Sequence, residues 1–127
     1  MTKNFEKSST ENWGLRMKID ESLSFLREHK KELLQKKIEY LKENVEGLRY
    51  MILFGSYARG EEKATSDLDV LLLTTQEIPR EVRGELCSEY EEEKIDLVFY
   101  TMEQFESSDC LLISQIRKEG IVVWKQR

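Results

Sequence analysis

The sequence predicts an α/β fold: a mixed four-stranded sheet with helices on one or both of its faces. Two observations indicate this class. Short apolar runs of strand length alternate with longer stretches in which apolar residues recur every three or four positions, as on one side of a helix. In addition, a length of 127 residues suits a single domain with one modest core and is too short for two.

The N-terminal third is predicted to be a loose tail followed by a long helical segment. Residues 1–14 are polar and show no periodicity, which is typical of a tail. Residues 15–47 have helical spacing and end at a glycine. Their apolar positions form two stripes, which are Ile19, Leu23 and Leu26, and then Leu34, Ile38, Leu41, Val45 and Leu48. We expect the second stripe to pack on the sheet. The first is a weaker extension that either folds back on the domain, which we favour, or contacts a partner.

Residues 48–125 are predicted to form the core of this single domain, which extends over residues 15–127. The four expected strands are residues 48–54, 67–74, 95–100 and 121–124. One helix is expected to begin at Pro79 and end in an acidic run before the third strand. Another lies before the last strand, with an N-cap offered by residues 107–109 and an end at Gly120.

The turn that joins the first two strands is the most informative segment. It reads Gly55-Ser56-Tyr57-Ala58-Arg59-Gly60 and follows an apolar strand. Glycine allows a tight turn and a close approach of the backbone to a ligand. Successive backbone N–H groups in such a turn make an anion-binding concavity, to which Ser56 adds a hydroxyl. The sequence therefore predicts a phosphate site at this turn.

Three aspartates are expected near the same turn. Asp67 and Asp69 open the second strand and, because side chains alternate, face the same way about 6.5 Å apart along the chain. Asp96 lies on the third strand. The chain has 20 Glu and only 5 Asp, yet every acid within these strands is Asp, whose short side chain holds its oxygens close to a rigid sheet. Such close like charges are costly without a cation, so the pattern predicts a site for Mg²⁺.

The combined pattern resembles the DNA polymerase β-type nucleotidyltransferases. Gly55-Ser56, ten intervening residues, Asp67-Leu68-Asp69, and Asp96 on a later strand carry the resemblance, which covers about residues 48–125. The fuller string Gly-Ser-x-Ala-Arg-Gly with Ser-Asp-Leu-Asp-Val-Leu is similar to the minimal nucleotidyltransferases, which are small prokaryotic proteins. The resemblance implies a polymerase β-like nucleotidyltransferase core.

The resemblance also implies an activity and a partner. In that family the three aspartates, here Asp67, Asp69 and Asp96, hold two catalytic Mg²⁺ ions, and the Gly55-Ser56 turn holds the triphosphate. Asp96 could instead take the proton of the acceptor hydroxyl directly, and the sequence does not separate these roles. Many minimal nucleotidyltransferases are antitoxins paired with an all-helical HEPN ribonuclease toxin. The implied reaction is transfer of AMP from ATP to a tyrosine of that partner.

Two basic residues near the turn are further candidates for nucleotide binding. Arg59 either contacts phosphate or acceptor, or it caps the turn by pairing with Glu61 or Glu62. Lys63 lies in the 61–66 loop, where it either reaches the triphosphate or remains a loop lysine. Ser66 is expected to brace the aspartate strand through a local backbone hydrogen bond.

The composition of the chain argues against some classes of partner and indicates a cellular compartment. A net charge of −5 argues against broad affinity for nucleic acid. No apolar run approaches the roughly 20 residues that span a bilayer, and no signal peptide is visible, so we expect no membrane partner. Cys87 and Cys110 are too few and too separated for a disulfide framework or a zinc site. We expect reduced cysteines packed on helices and a cytoplasmic location.

Because the chain is short, its sequence does not identify the group that accepts the nucleotide. Larger proteins with similar cores add a second domain that holds the base or the acceptor, so part of the acceptor site is expected from a second copy or another protein. This favours a macromolecular acceptor within a homo- or hetero-oligomer. Two alternatives remain. A dimer could build a pocket for an aminoglycoside, or the chain could be a non-catalytic antitoxin that neutralises by occlusion through the Ile19–Leu26 segment and its acidic surface.

Overall fold

Residues 17–127 are described by the structure, a computed structural model. The predicted tail at 1–14 and the first two residues of the predicted helical segment lie outside the described residues.

One mixed five-stranded sheet forms the centre of the described chain. Its strands are β1 (Lys18–Ile19), β2 (Leu48–Phe54), β3 (Leu68–Thr74), β4 (Ile95–Thr101) and β5 (Ile121–Lys125). They lie in the order β1–β5–β2–β3–β4. Strand β2 is antiparallel to both β3 and β5, whereas β1–β5 and β3–β4 are parallel pairs. The four predicted strands are therefore confirmed, and β1 is an additional edge strand that raises the predicted count of four to five.

Helices cover both faces of the sheet. They are α1 (Glu28–Asn44), α2 (Ser56–Arg59), α3 (Arg80–Glu91), α4 (Met102–Ser107) and α5 (Leu111–Glu119). Side chains of α1 and α3 pack on one face, together with Met51 and Leu53 of β2, and side chains of α4 and α5 pack on the other, together with Ile52. Because neighbouring strand residues point to opposite faces, burial of both faces explains why β2 and β3 read as continuous apolar runs.

The prediction of helix over residues 17–27 is wrong. After β1 the chain turns at Asp20, whose carboxylate accepts hydrogen bonds from the Ser22 N–H at 3.1 Å, the Ser22 hydroxyl at 2.6 Å and the Ser24 hydroxyl at 2.7 Å. Such local bonds offer the backbone an alternative to helix. The helix begins only at Glu28, and it ends at Asn44, close to the predicted glycine stop.

Leu23 and Leu26 are nevertheless core residues. Both are buried in the cluster on the α1 side of the sheet, and Leu23 reaches it through a backbone with φ of 58°. Ile19, the third member of the predicted stripe, is 49% exposed. Of the two alternatives for this segment, folding back on the domain is therefore what the structure shows.

Helix α4 was not predicted, although the sequence contains its start signal. The Thr101 hydroxyl accepts a hydrogen bond from the Gln104 N–H at 3.1 Å, and the Gln104 side chain accepts one from the Thr101 N–H at 3.0 Å. This reciprocal capping box has the pattern Thr-x-x-Gln. The next helix, α5, has Cys110 as its N-cap, so the expected cap within residues 107–109 is wrong, while its end at Gly120 is confirmed.

Both cysteines are free, as expected. Cys87 is half-buried on α3, whereas Cys110 is exposed and lies just before α5 rather than packed on a helix.

Candidate functional site

The glycine-serine turn and two of the aspartates meet at one edge of the sheet. Phe54, the last residue of β2, pairs with Asp69 on β3, and Asp69 pairs with Asp96 on β4. Asp69 and Asp96 therefore lie side by side, next to the turn that begins at Gly55. By alternation they share the sheet face that α4 and α5 cover.

Gly55 is in direct contact with the aspartate strand. Its φ is 79°, a left-handed value that favours glycine, and a Cβ at this position would lie 2.2 Å from Oδ2 of Asp69. The positive φ and the short distance would each make any larger residue at position 55 destabilising. The turn and the Asp69 carboxylate therefore form one compact arrangement, as the sequence predicted for Gly55 and Asp69.

The next residues of the turn form the single-turn helix α2. Ser56 opens it and is half-buried, and its carbonyl accepts a hydrogen bond from the Glu61 N–H at 2.9 Å. Tyr57 is half-buried and packs against the α1-side core. The Lys30 ammonium lies 5.9 Å from the centre of its ring. This packing holds the turn, which follows β2, in place next to the N-terminal end of α1.

The Asp69 carboxylate has an unusual electrostatic environment. Its partial burial, followed by the negative charges of Asp96 and Asp67, raises the pKa of Asp69 to about 6. Arg59 acts in the opposite direction and lowers it. Asp67 lies half-buried just before β3, and Asp96 is exposed at the start of β4. A carboxylate whose ionised form is disfavoured by burial and by two neighbouring acids lies where a cation would be stabilised.

The donor types at this edge fit a hard divalent cation. Mg²⁺ prefers carboxylate oxygens and usually keeps several waters, so one or two protein carboxylates suffice. Within residues 17–127 no group of three Asp, Glu, His or Cys side chains stands close enough together to hold a metal ion as arranged here. The fit is therefore one of donor chemistry and charge, and Asp67, Asp69 and Asp96 remain the predicted ligands.

Arg59 forms ion pairs with Glu61, just after the turn, and with Glu119 of α5. Its Nε donates to Glu61 at 2.8 Å, as one of the two alternatives for this residue predicted. Its Nη1 also donates to both carboxylate oxygens of Glu119, at 3.1 and 3.0 Å. The other alternative, contact with phosphate or acceptor, stays a prediction.

The loop after the turn is held by a local hydrogen bond. The Lys63 N–H donates to the Ser66 hydroxyl at 2.8 Å, which confirms that Ser66 braces the start of the aspartate strand. The Lys63 side chain is exposed, and its role in binding triphosphate stays a prediction.

Glu119 is a residue of this site that the sequence analysis missed. It is the last residue of α5, and its carboxylate accepts a 2.6 Å hydrogen bond from the Gly55 N–H in addition to those from Arg59. Its side chain is only 13% exposed. One sequence signal exists, because an acid in the last turn of a helix opposes the helix dipole. That signal does not reveal the partner, which depends on the pairing of β5 with β2.

The comparisons with known proteins agree with this arrangement. Residues 35–127 match the family model described as polymerase beta, nucleotidyltransferase. The chain belongs to this family. The resemblance drawn from the glycine-serine turn and the aspartates is thereby confirmed, as is the nucleotidyltransferase fold.

Two relatives of the family are named as protein adenylyltransferases. The protein adenylyltransferase MntA of Shewanella oneidensis is 28% identical over 90 residues, which cover 68% of this chain and 61% of that protein. A protein of Methanocaldococcus jannaschii, provisionally named as a protein adenylyltransferase, is 47% identical over 58 residues, covering 45% of this chain and 57% of that protein. The matches thus span about three fifths of the length of these relatives.

A solved structure shows the same fold in an assembly. It is a toxin–antitoxin crystal structure with AMP-PNP, with a TM-score of 0.59, 27% identity and 73% of each chain covered. Over residues 17–127 of the present chain, no helix has the length and apolar character needed to cross a membrane.

Proposed function

We propose that this chain is a Mg²⁺-dependent nucleotidyltransferase that transfers AMP from ATP to a tyrosine of a HEPN-type toxin and so acts as its antitoxin. The observation that carries the proposal is the contact of the Gly55 turn with Asp69, beside Asp96, at one edge of the sheet. This arrangement places a backbone suited to phosphate next to acids suited to a cation.

The chemistry requires positioning and charge stabilisation more than covalent participation by the protein. In the reaction a bond forms between the acceptor oxygen and the α-phosphorus, the bond from the α-phosphorus to the bridging oxygen breaks, and pyrophosphate leaves. Asp67, Asp69 and Asp96 would hold Mg²⁺, and the ion would neutralise negative charge on the triphosphate and its leaving group. Ser56 and backbone N–H groups of the turn hold the β- and γ-phosphates.

Asp96 is the candidate acceptor of the proton from the attacking hydroxyl. It is exposed at the start of β4, whereas Asp69 beside it is half-buried. An acceptor group that arrives from solvent therefore reaches Asp96 first. This difference in exposure supports a division of roles, in which Asp69 holds the cation and Asp96 also serves the acceptor.

A protein acceptor is supported by the openness of the site. Arg59, Gly60 and Asp96 are exposed at the same sheet edge, so a large partner can approach them. The antitoxin role and the choice of ATP are supported by the adenylyltransferase name of the MntA relative and by the similar toxin–antitoxin structure with AMP-PNP. The HEPN class of the partner and its tyrosine come from the resemblance to minimal nucleotidyltransferases.

Label transfer tests the proposal. The chain is incubated with Mg²⁺, the co-encoded partner and ATP labelled either at the α- or at the γ-phosphate. We expect the α-label alone to become attached to the partner, and Asp69→Asn to abolish this. Asp109→Asn, which changes an exposed aspartate outside the site, is the matched control and should keep activity. Absence of transfer from any of the four nucleotides by the folded protein would overturn the proposal.

Occlusion without catalysis is the second candidate function. It is favoured by the finding that the acids of residues 17–127 do not gather into a three-ligand set as they stand. Its other support is weakened, because Leu23 and Leu26 of the predicted docking segment are buried in the core. The double variant Asp67→Ala, Asp69→Ala separates the two functions. If this variant neutralises the partner at the same dose as the wild type, occlusion suffices.

A further inference from the structure

Glu119 faces the glycine-serine turn from the side opposite to the aspartates. In the antiparallel pairing of β5 with β2, Ile121 lies opposite Leu53. Continued two positions after Leu53 and two positions before Ile121, the same register places Glu119 opposite Gly55. The Glu119 carboxylate accepts the Gly55 N–H at 2.6 Å, and thereby takes the place that a backbone carbonyl would have if the ladder continued.

The surroundings of Glu119 are otherwise unfavourable for a negative charge. Its side chain is 13% exposed, it ends a helix whose dipole repels an anion, and it lies near enough to Asp69 to contribute to that residue's raised pKa. The groups that offset these costs are the Gly55 N–H and the Arg59 guanidinium. A carboxylate retained in such a place is tied closely to both donors.

We propose that Glu119 is a positioning residue for nucleotide binding, which holds the Gly55 backbone and the Arg59 side chain together in the arrangement that receives the triphosphate. The inference rests on the proposed nucleotidyl transfer at this turn. Glu119 touches neither the acceptor nor the reacting phosphorus in this account. Its effect passes through the turn and through Arg59.

The geometry distinguishes this role from that of a carboxylate that blocks the phosphate site and is displaced by ATP. Gly55 lies between two acids, because its N–H meets Glu119 on the β5 side and its Cα faces Asp69 on the β3 side. The triphosphate and its cation belong on the side of the aspartates. Glu119 can therefore remain in place while nucleotide binds, and its removal loosens the turn instead of freeing a site.

Two conservative substitutions of Glu119 separate the effect of its side-chain length from the effect of its charge. Glu119→Asp keeps the charge but shortens the side chain, so it cannot bond Gly55 and Arg59 together. Glu119→Gln keeps the length and an acceptor oxygen but removes the charge. We expect Glu119→Asp to raise the KM for ATP and the Kd for AMP-PNP about tenfold, the usual effect of losing one charge-assisted hydrogen bond. Glu119→Gln should raise both only about two- to threefold, and kcat at saturating ATP should stay within about twofold for each.

The same two substitutions at Glu61 are the matched control. Glu61 also bonds Arg59, through Nε at 2.8 Å, but its side chain is 66% exposed and its hydrogen bonds do not include one from Gly55. Exposed ion pairs contribute little, so Glu61→Asp and Glu61→Gln should leave KM and Kd within about twofold of the wild type. Thermal unfolding of all four variants confirms that they are folded.

The expected order, with Glu119→Asp weaker in nucleotide binding than Glu119→Gln and both weaker than the wild type, supports positioning. Tighter AMP-PNP binding by Glu119→Gln would show that the carboxylate competes with phosphate. Unchanged binding by Glu119→Asp would show that reach to both donors is irrelevant, and either result overturns the proposal. A wild-type chain that binds no nucleotide would instead refute the proposed function itself, and this inference with it.

Discussion

Replacement of Asp69 by Asn should stabilise the metal-free protein at neutral pH. The pKa of Asp69 is raised to about 6 by burial and by the charges of Asp96 and Asp67, compared with 3.8 for an unperturbed aspartate. The protonated form is therefore favoured by folding. The stability that Asp69 contributes is fully present below about pH 4 and is lost as the pH rises through about 6. Asn is uncharged at every pH, so the variant does not lose this stability as the pH rises.

The size of the expected stabilisation follows from the shift in the pKa of Asp69. A change of about two pKa units corresponds to about 3 kcal/mol at 1.4 kcal/mol per unit, and solvent screening of this partly exposed group reduces it to about 1–2 kcal/mol. Near pH 4, where Asp69 is protonated, the variant and the wild type should have nearly equal free energies of unfolding. Near pH 7.5 the Asn variant should be more stable by about 1–2 kcal/mol.

Urea unfolding in the presence of a chelator at both pH values measures this difference. Asp109→Asn serves as the control, because that aspartate is exposed and is not among the groups that shift the pKa of Asp69. The difference in stability between this variant and the wild type should not change with pH. Excess Mg²⁺ should then stabilise the wild type and leave the Asn variant nearly unchanged, because a ligand stabilises only the state that binds it. If the Asn variant is less stable than the wild type at both pH values, Asp69 is a structural residue and the electrostatic reasoning is wrong.

The other predictions concern the turn and the third acid. Gly55→Ala should destabilise the fold by about 1–3 kcal/mol in thermal unfolding, because of its positive φ and the contact with Asp69, whereas Gly84→Ala, in open space within α3, should stabilise it by up to about 1 kcal/mol. Ser56→Ala should weaken AMP-PNP binding roughly ten- to a hundredfold in a calorimetric titration, and unchanged affinity would remove the hydroxyl from the site. Asp96→Ala should keep most nucleotide binding but lose turnover, and retained turnover at saturating ATP would reverse the roles given to Ser56 and Asp96.

The parts of the fold that the sequence predicted are those whose signals are local. Strands β2 and β3 are buried on both faces over most of their length and therefore contain unbroken apolar runs, residues 50–54 and 70–73. The candidate site follows from them, because Gly55 directly follows β2 and Asp69 is the second residue of β3. Once two such strands form a hairpin-like pair, the turn and the acid must be adjacent.

The parts that the sequence did not predict depend on competition between local hydrogen bonds and helix formation, or on contacts between residues far apart in the sequence. Leu23 and Leu26 have helical spacing, yet Asp20 bonds the following serines and the chain forms a turn instead. Glu119 follows Lys118 at the end of an ordinary amphipathic helix, and only the antiparallel pairing of β5 with β2 places it opposite Gly55. A short-range pattern contains no information about such a pairing.

The most direct test of the account measures label transfer and neutralisation in the same reaction. The chain is incubated with the proposed toxin partner, α-labelled ATP and Mg²⁺, and samples taken over time are assayed both for label on the toxin and for its remaining ribonuclease activity. We predict that the ribonuclease activity falls in proportion to the label attached to tyrosine, and that Asp69→Asn produces neither change. Full neutralisation of an unlabelled toxin by Asp69→Asn would contradict it.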